Sequence, residues 1–539
     1  MKKKRLFTLA LAGMITVCSA FSVGCTGNND NKTEEDPTKA NISVGTLDAG
    51  IGDAWLSNAA RRFEKLYENS TDFQEGRTGV KINVTKSRSY DGQTLETASL
   101  THDIYFTEGI NYYKYVNGGK MEDLTEIMTE SLSDYGEDGD ILSKIDPAYA
   151  SFLKTKDNKY YAIPFYDSFY GFVYDLDLWN SKKLYISENG SFTNKDGNLS
   201  KGPDNEAGTS DDGLPATYDE FKKVMKQMRD LDITPFVCAS NCMDDYIANL
   251  LFSFWVNEEG LDEMKLNYSF NGKSNDLITV KNGVVTKLPE TEIKFENGYD
   301  LQKQAGKYYS LKFMQDVMCE TPENYEIKTT HTNAQKSYVK GGITNNSPIG
   351  MIAEGSWWEN ESKSAFKQLT DEGLERHNYA VMPIPWSDAS KVGGKQTRLS
   401  LSSSYGFVSS SSSNKKLALE FMKFLHTDAE LSAFTTEVCM TRALNYDVTE
   451  ADEANITTYA KSVLEIKKKQ NVLYPYSSLE KVINNDILFA NYSWAWCSNI
   501  DGGDYKSPWA YFRSASAPSA EKYFNGQYTY FSGKWNGIN

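Results

Sequence analysis

The chain has 539 residues, of which 40% are hydrophobic and 24% charged. That balance excludes a fibrous or disordered chain, and the length gives roughly two to four domains with an ample core. Lys and Arg number 57 against 73 Asp and Glu, a net charge of −16, which argues against nucleic acid as a partner because phosphate binding needs a basic face. Four histidines are too few for a histidine-rich catalytic or zinc centre. The 34 Tyr, 26 Phe and 10 Trp suit a surface that binds through flat faces with polar edges.

At the N-terminus, Lys2, Lys3, Lys4 and Arg5 precede an apolar run from Leu6 to Val23, the pattern of a signal peptide. The run ends in Ser22-Val23-Gly24-Cys25, which resembles the lipobox of bacterial lipoproteins, with Ser22 where Leu is usual. Cys25 is therefore expected to be lipidated (palmitate among its acyl chains) and to anchor the protein on the extracellular face of the cell membrane. Loss of residues 1–24 removes four positive charges and takes the net charge from −16 to −20. Residues 26–39 hold no large apolar side chain, so 25–39 reads as a lipidated tether. Cys238, Cys242, Cys319, Cys439 and Cys497 are odd in number, which excludes a complete disulfide framework.

Residues 42–47 read as the first strand. Asp53 is placed to cap a helix with apolar positions Trp55, Leu56, Ala59, Ala60, Phe63, Leu66 and Tyr67. Residues 80–84 and 104–106 read as the next strands. This strand, helix, strand order predicts an open α/β sheet, with ligands beyond the carboxyl ends of its strands, near Asp48, Tyr90 and Glu108. Residues 160–165 lead into 171–174 as a Pro-bounded extended crossing between two lobes. Residues 188–213 and 267–300 read as long loops or insertions. A strand at 349–353 runs into Ser356-Trp357-Trp358-Glu359, where Ser356 and Glu359 fit a capping box and put both tryptophans in the first helical turn. A strand at 405–408 precedes Asn414 and a helix marked by Leu417, Phe421, Phe424 and Leu425.

The loop 194–213 alternates oxygen donors with glycines. Asn194, Asp196, Asn198, Asp204, Asp211 and Asp212 suit Ca²⁺, which takes six to eight oxygen ligands. The twelfth-position Glu of an EF-hand is absent, and the stretch resembles the Gly-Pro-Asp…Gly-Thr…Asp-Asp-Gly calcium loops of secreted bacterial proteins. A structural calcium ion is expected there, and no other cofactor is required.

Four stretches carry a wider resemblance: Gly52-Asp53-Ala54-Trp55-Leu56, Tyr161-Ala162-Ile163-Pro164-Phe165, Met351-Ile352-Ala353-Glu354-Gly355-Ser356-Trp357, and residues 414–425. In this order behind a lipobox, they resemble the solute-binding lipoproteins of ABC importers, in the sugar-binding family that includes maltose-binding protein. The resemblance implies a two-lobed α/β fold of the periplasmic-binding-protein type II kind. Lobe one would be 40–167 plus 404–450, and lobe two 168–403 plus 451–539, joined by hinge strands with the ligand between them. It implies a monomer that delivers an oligosaccharide to permease subunits and is not an enzyme.

A sugar site needs flat aromatic faces and polar groups at the rim. Trp357 and Trp358 are the first candidates. Adjacent helical residues diverge by about 100°, so one is expected to stack on a sugar while the other packs inward. Tyr166, Asp167 and Tyr170 fall at the hinge. Tyr90, Asp91 and Glu108 fall at strand ends, Arg442 follows the last lobe-one helix, and Tyr405, Asn241 and Trp255 complete the set. Two alternatives stand beside this reading. One is an extracellular glycoside hydrolase, with two carboxyls about 5–10 Å apart. The other is a receptor for a peptide or other small solute on the same scaffold.

Overall fold

The computed structural model describes residues 35–401, 403–484, 495–496, 506–514 and 517–537. The signal sequence, Cys25 and Cys497 lie outside the described residues. In chain order the main strands are β1 (Ala40–Leu47), β2 (Val80–Ser87), β3 (Ile104–Thr107), β4 (Ile163–Pro164), β5 (Tyr170–Asp175), β6 (Thr234–Ala239), β7 (Tyr325–Lys328), β8 (Ile349–Gly355), β9 (Tyr379–Met382) and β10 (Tyr405–Val408). They form two five-stranded sheets, ordered β2-β1-β3-β10-β4 and β7-β6-β8-β5-β9.

In lobe one, β1 pairs in parallel with β2 and β3, so the carboxyl ends of all three share one edge. The helix Ala54–Leu66 covers this sheet through Trp55, Leu56, Ala59, Ala60 and Phe63. Leu66, expected on the same face, is instead exposed, since the buried stripe ends a turn earlier. Asp53 flanks the helix start but makes no capping bond, because its carboxylate pairs with Lys86. Asn414 does cap Lys415–Phe424, accepting from the Leu417 N–H.

In lobe two, all seven residues of β8 are buried, as expected of a central strand covered on both faces. It runs parallel to β6 and antiparallel to β5, which sets Glu354 opposite Gly171 and Gly355 opposite Tyr170. Residues 267–300 are more ordered than a loop. They hold two antiparallel pairs, Gly272–Ser274 with Thr291–Ile293 and Ile278–Lys281 with Val284–Lys287. These support a small third core that includes Phe270, Phe295 and Trp535.

The lobe-one core draws on residues 40–166 and 405–444, and the lobe-two core mainly on 169–399 and 456–524. Chain crossings between them pair Tyr166–Asp167 with Thr441–Arg442, and Thr397–Leu399 with Asn471–Leu473. After the second pairing the chain leans back onto lobe one, where Tyr474 and Tyr476 pack on Tyr149 at 4.6 and 5.0 Å. Cys238, Cys242, Cys319 and Cys439 are free thiols. Among the described residues no helix is long and apolar enough to cross a membrane.

Candidate functional site

The ends of β1 and β8 face each other across the two lobes. Beyond β8 the chain turns through Ser356 and Trp357 into a four-residue helix, Trp358–Glu361. The expected capping box does not form. Trp357 occupies the cap position, Ser356 Oγ accepts from the Phe169 N–H at 3.4 Å, and Glu359 is drawn inward to pair with Arg376 and accept from Thr457. Both tryptophans still fall at this turn, and they diverge. Trp358 is fully buried in lobe two among Tyr338, Phe366, Tyr379 and Tyr459, which removes it from the ligand set. Trp357 is half-buried and packs against the cores of both lobes.

Two glycines make room for Trp357. A Cβ at Gly355 would overlap the indole at 2.2 Å, and one at Gly50 would come within 3.0 Å of Cδ1. Tyr170 and Tyr246 meet the indole edge-on at 5.1 and 6.2 Å, a favoured aromatic geometry. Asn360 then bridges the lobes, donating to the carbonyls of Gly50 (2.6 Å) and Ile51 (2.9 Å). Lys363 adds a second bridge, to the Glu437 carbonyl at 2.7 Å.

Polar groups surround the indole on the lobe-two side. Gln335 donates to Glu361 at 2.7 Å and to Glu354 at 3.3 Å. His331 Nε2 lies 3.7 Å from Glu361 Oε1. Burial raises the Glu361 carboxyl above its usual value, and burial with the nearby Arg88 charge lowers the His331 imidazole. On the lobe-one side, Tyr166 donates its hydroxyl to Glu108, and burial, then Asp91, push the Glu108 carboxyl up to about 7. Sequence reading missed Gln335, His331, Glu361, Asn360 and Tyr246. Their common signal is position: each lies within about two turns after the carboxyl end of a predicted or observed strand.

Arg442, Asp167, Trp255 and Tyr405 are enclosed in the protein interior. Arg442 is fully buried under the rings of Trp55, Phe106, Phe165 and Phe434, at 5.2–6.0 Å. It donates to the Phe165 carbonyl at 2.6 Å and to His426 at 2.8 Å, and burial without a carboxylate partner lowers it to about 9. Its fork therefore ties strand Thr441–Arg442 to the hinge. Asp167 is also enclosed there, in a two-pronged pair with Arg398 at 2.6 and 2.7 Å. Burial works upward on Asp167, but Arg398 and Lys467 outweigh it and hold the carboxyl low. Trp255 is buried against Phe252 and Trp496 with Lys307 over its ring, and Tyr405 is buried beside Tyr112 and Tyr149. Neither reaches the cleft. Tyr90 turns along lobe one to meet His102 at 2.6 Å. Asn241 is exposed on the turn after β6.

The oxygen-rich loop splits in two. Asp204, Asp211 and Asp212 converge on the Thr209 hydroxyl at 3.4, 2.6 and 3.4 Å, and burial, then Asp204, push buried Asp211 up to about 6. Asn194 bonds Asp196 at 3.4 Å, while the Asn198 carbonyl accepts from Glu188. Among the described residues no hydrogen bond joins the two sets. A further trio, Asp175, Asp177 and His377, has ligand atoms within 4.8 Å of one another. Its oxygens already serve the fold: Asp175 caps Leu176–Lys182 and meets His377 at 2.8 Å, and Asp177 accepts from the Asn378 N–H.

Two facing α/β lobes with a ring of polar groups about an interlobe tryptophan define a clamp for a solute. The family profile described as bacterial extracellular solute-binding protein matches residues 54–430, more than half of the chain. The chain belongs to that family. No curated protein matches it. Among solved structures, the GacH receptor of Streptomyces glaucescens, determined unliganded and with acarbose, is 12% identical with a TM-score of 0.54 over 92% of this chain and 99% of that one. The cyclic alpha-maltosyl-1,6-maltose binding protein of Arthrobacter globiformis is 13% identical with a TM-score of 0.52 over 93% and 100%. A chitin oligosaccharide binding protein is 14% identical with a TM-score of 0.52 over 93% and 100%. At these identities the likeness concerns the fold.

Proposed function

We propose that the protein captures an oligosaccharide between its lobes and presents it, uncleaved, to the permease subunits of an ABC importer. The observation that carries this reading is Trp357, half-buried between the lobes on a strand end, where two glycines and two edge-on tyrosines hold an indole for a pyranose face. Receptors of the same fold support it: one determined with acarbose, and two named as binding proteins for cyclic alpha-maltosyl-1,6-maltose and chitin oligosaccharide. Calorimetric titration of the mature domain with oligosaccharides, followed by chromatography of the recovered sugar, tests it. Binding with the sugar intact is expected. Shorter sugars accumulating over time would establish the hydrolase instead, and binding of peptides but no glycan would establish the peptide receptor.

Lipidation at Cys25 would hold this clamp at the outer membrane surface, on a tether that gives it reach. Cys25→Ala should move the protein from the membrane fraction to the medium. The clamp is read as a monomer, because each chain supplies both walls of its cleft. A structural calcium ion belongs to the same reading. Three carboxylates surround Thr209, whose hydroxyl can donate only one hydrogen bond, and the nearby cation is Lys469, 3.4 Å from Asp204. A divalent cation held by Asp204, Asp211 and Asp212 would relieve that repulsion.

A further inference from the structure

Acids outnumber cations around Trp357. In lobe one Glu108 follows β3, with the Asp91 charge acting on it; in lobe two Glu354 lies at the end of β8, Glu361 follows it, and Asp245 acts on Tyr170, the ring that meets Trp357. Two cations stand at these ends as well: Arg88, whose charge is felt at both Glu361 and His331, and Lys328 at the end of β7, which pairs with Glu326. Lys86, further back on β2, is taken up by Asp53 at 3.2 Å and Asp48 at 3.8 Å. Burial and the Arg88 charge both disfavour a positive charge on His331.

Resting on the carbohydrate reading of this cleft, we infer that it selects glycans without anionic groups and rejects those carrying uronate, sulfate or phosphate. The place of the site stands on Trp357 between the lobes; the acids decide what enters it. A uronate would bring another negative charge beside Glu354 and Glu361 in a cleft that excludes water on closing, where like charges in contact oppose binding strongly. Sugar hydroxyls suit the same wall, because carboxylates are strong acceptors for O–H donors. The groups that repel an acidic glycan thus hold a neutral one.

The test is a thermal-shift panel on the full mature domain at low salt and pH 7.5. It contains oligosaccharides in matched neutral, amino and uronate forms, with neutral, basic and acidic peptides alongside. Any binder is then titrated by calorimetry. For a neutral glycan that binds, oxidising its primary hydroxyls to carboxylates should weaken affinity at least about tenfold. Glu108→Gln combined with Glu361→Gln should narrow that gap. A uronate glycan binding as tightly as its neutral partner, with loss on Arg88→Gln, would overturn the charge inference and leave the carbohydrate reading intact. A neutral or basic peptide as the sole ligand would overturn the carbohydrate reading and leave the charge inference standing. An acidic peptide as the ligand, or no binder in any class, would overturn both.

Discussion

At the residue scale, the two adjacent tryptophans separate structure from binding. Trp358 is fully enclosed by four rings, so Trp358→Ala leaves a large cavity and should cost about 3–5 kcal/mol of stability. Trp357 lies at the lobe boundary, where truncation removes one face of the cleft. Trp357→Ala should weaken oligosaccharide binding by about thirtyfold or more, the scale of about 2 kcal/mol expected of an aromatic hot spot, with a much smaller change in melting temperature. Calorimetry and thermal melts on both variants check the division. Equal affinity in wild type and Trp357→Ala would remove the indole from the site. Glu108 makes a second prediction through pH. Its folded carboxyl titrates at about 7, above the value of about 4.3 for an unfolded glutamate, so the folded chain holds the proton more tightly. Stability contributed at this residue is therefore present at low pH and lost as pH rises from about 4.3 to 7. Glu108→Gln should flatten that slope, so the variant gains on the wild type in melting temperature across the window. Parallel curves for the two proteins would refute it.

At the element scale, periodic segments were legible and inward turns were not. Trp55, Leu56, Ala59, Ala60 and Phe63 announce their helix because one face is buried and the other is solvated. Strand β8 is readable from its apolar stretch 349–353, and the placement of Trp357 follows from its end. The capping box failed because Ser356 and Glu359 had better partners from distant chain, Phe169 and Arg376, which local spacing cannot show. Arg442 failed similarly: its residue type suits a ligand as well as a buried hinge, and only the four rings around it decide. His331 and Gln335 share one helix, His331–Thr344, but Glu361 comes from the separate turn after β8, so no local motif could gather the three. The acidic loop bears on stability at this same scale. With Ca²⁺ bound, chelation should lower the melting temperature, and Asp211→Asn with Asp212→Asn should abolish that response. Identical melts with and without chelator would exclude the ion.

At the scale of the whole molecule, directed contacts between the lobes make closure tunable. Asn360 spends both its bonds across the cleft, on the carbonyls of Gly50 and Ile51, beside the very glycine that clears the Trp357 ring. These bonds exist only when the lobes are together, so they belong to the closed state alone. A ligand closes such a clamp by its differential affinity for that state, and any contact special to it adds to the apparent affinity. At about 0.5–1.5 kcal/mol per hydrogen bond, Asn360→Ala should weaken solute binding by about fivefold to a hundredfold, mainly by faster release. The melting temperature of each lobe should barely change, because Asn360 is only half-buried and lies at the boundary rather than in either core. X-ray scattering should show the variant less compact than wild type at the same subsaturating solute. Asn360→Asp should be worse than Ala, since it sets a carboxylate against two carbonyl oxygens and adds negative charge to an acidic cleft. If release rate and compaction match wild type in both variants, the closed state is held by the solute and the hinge alone.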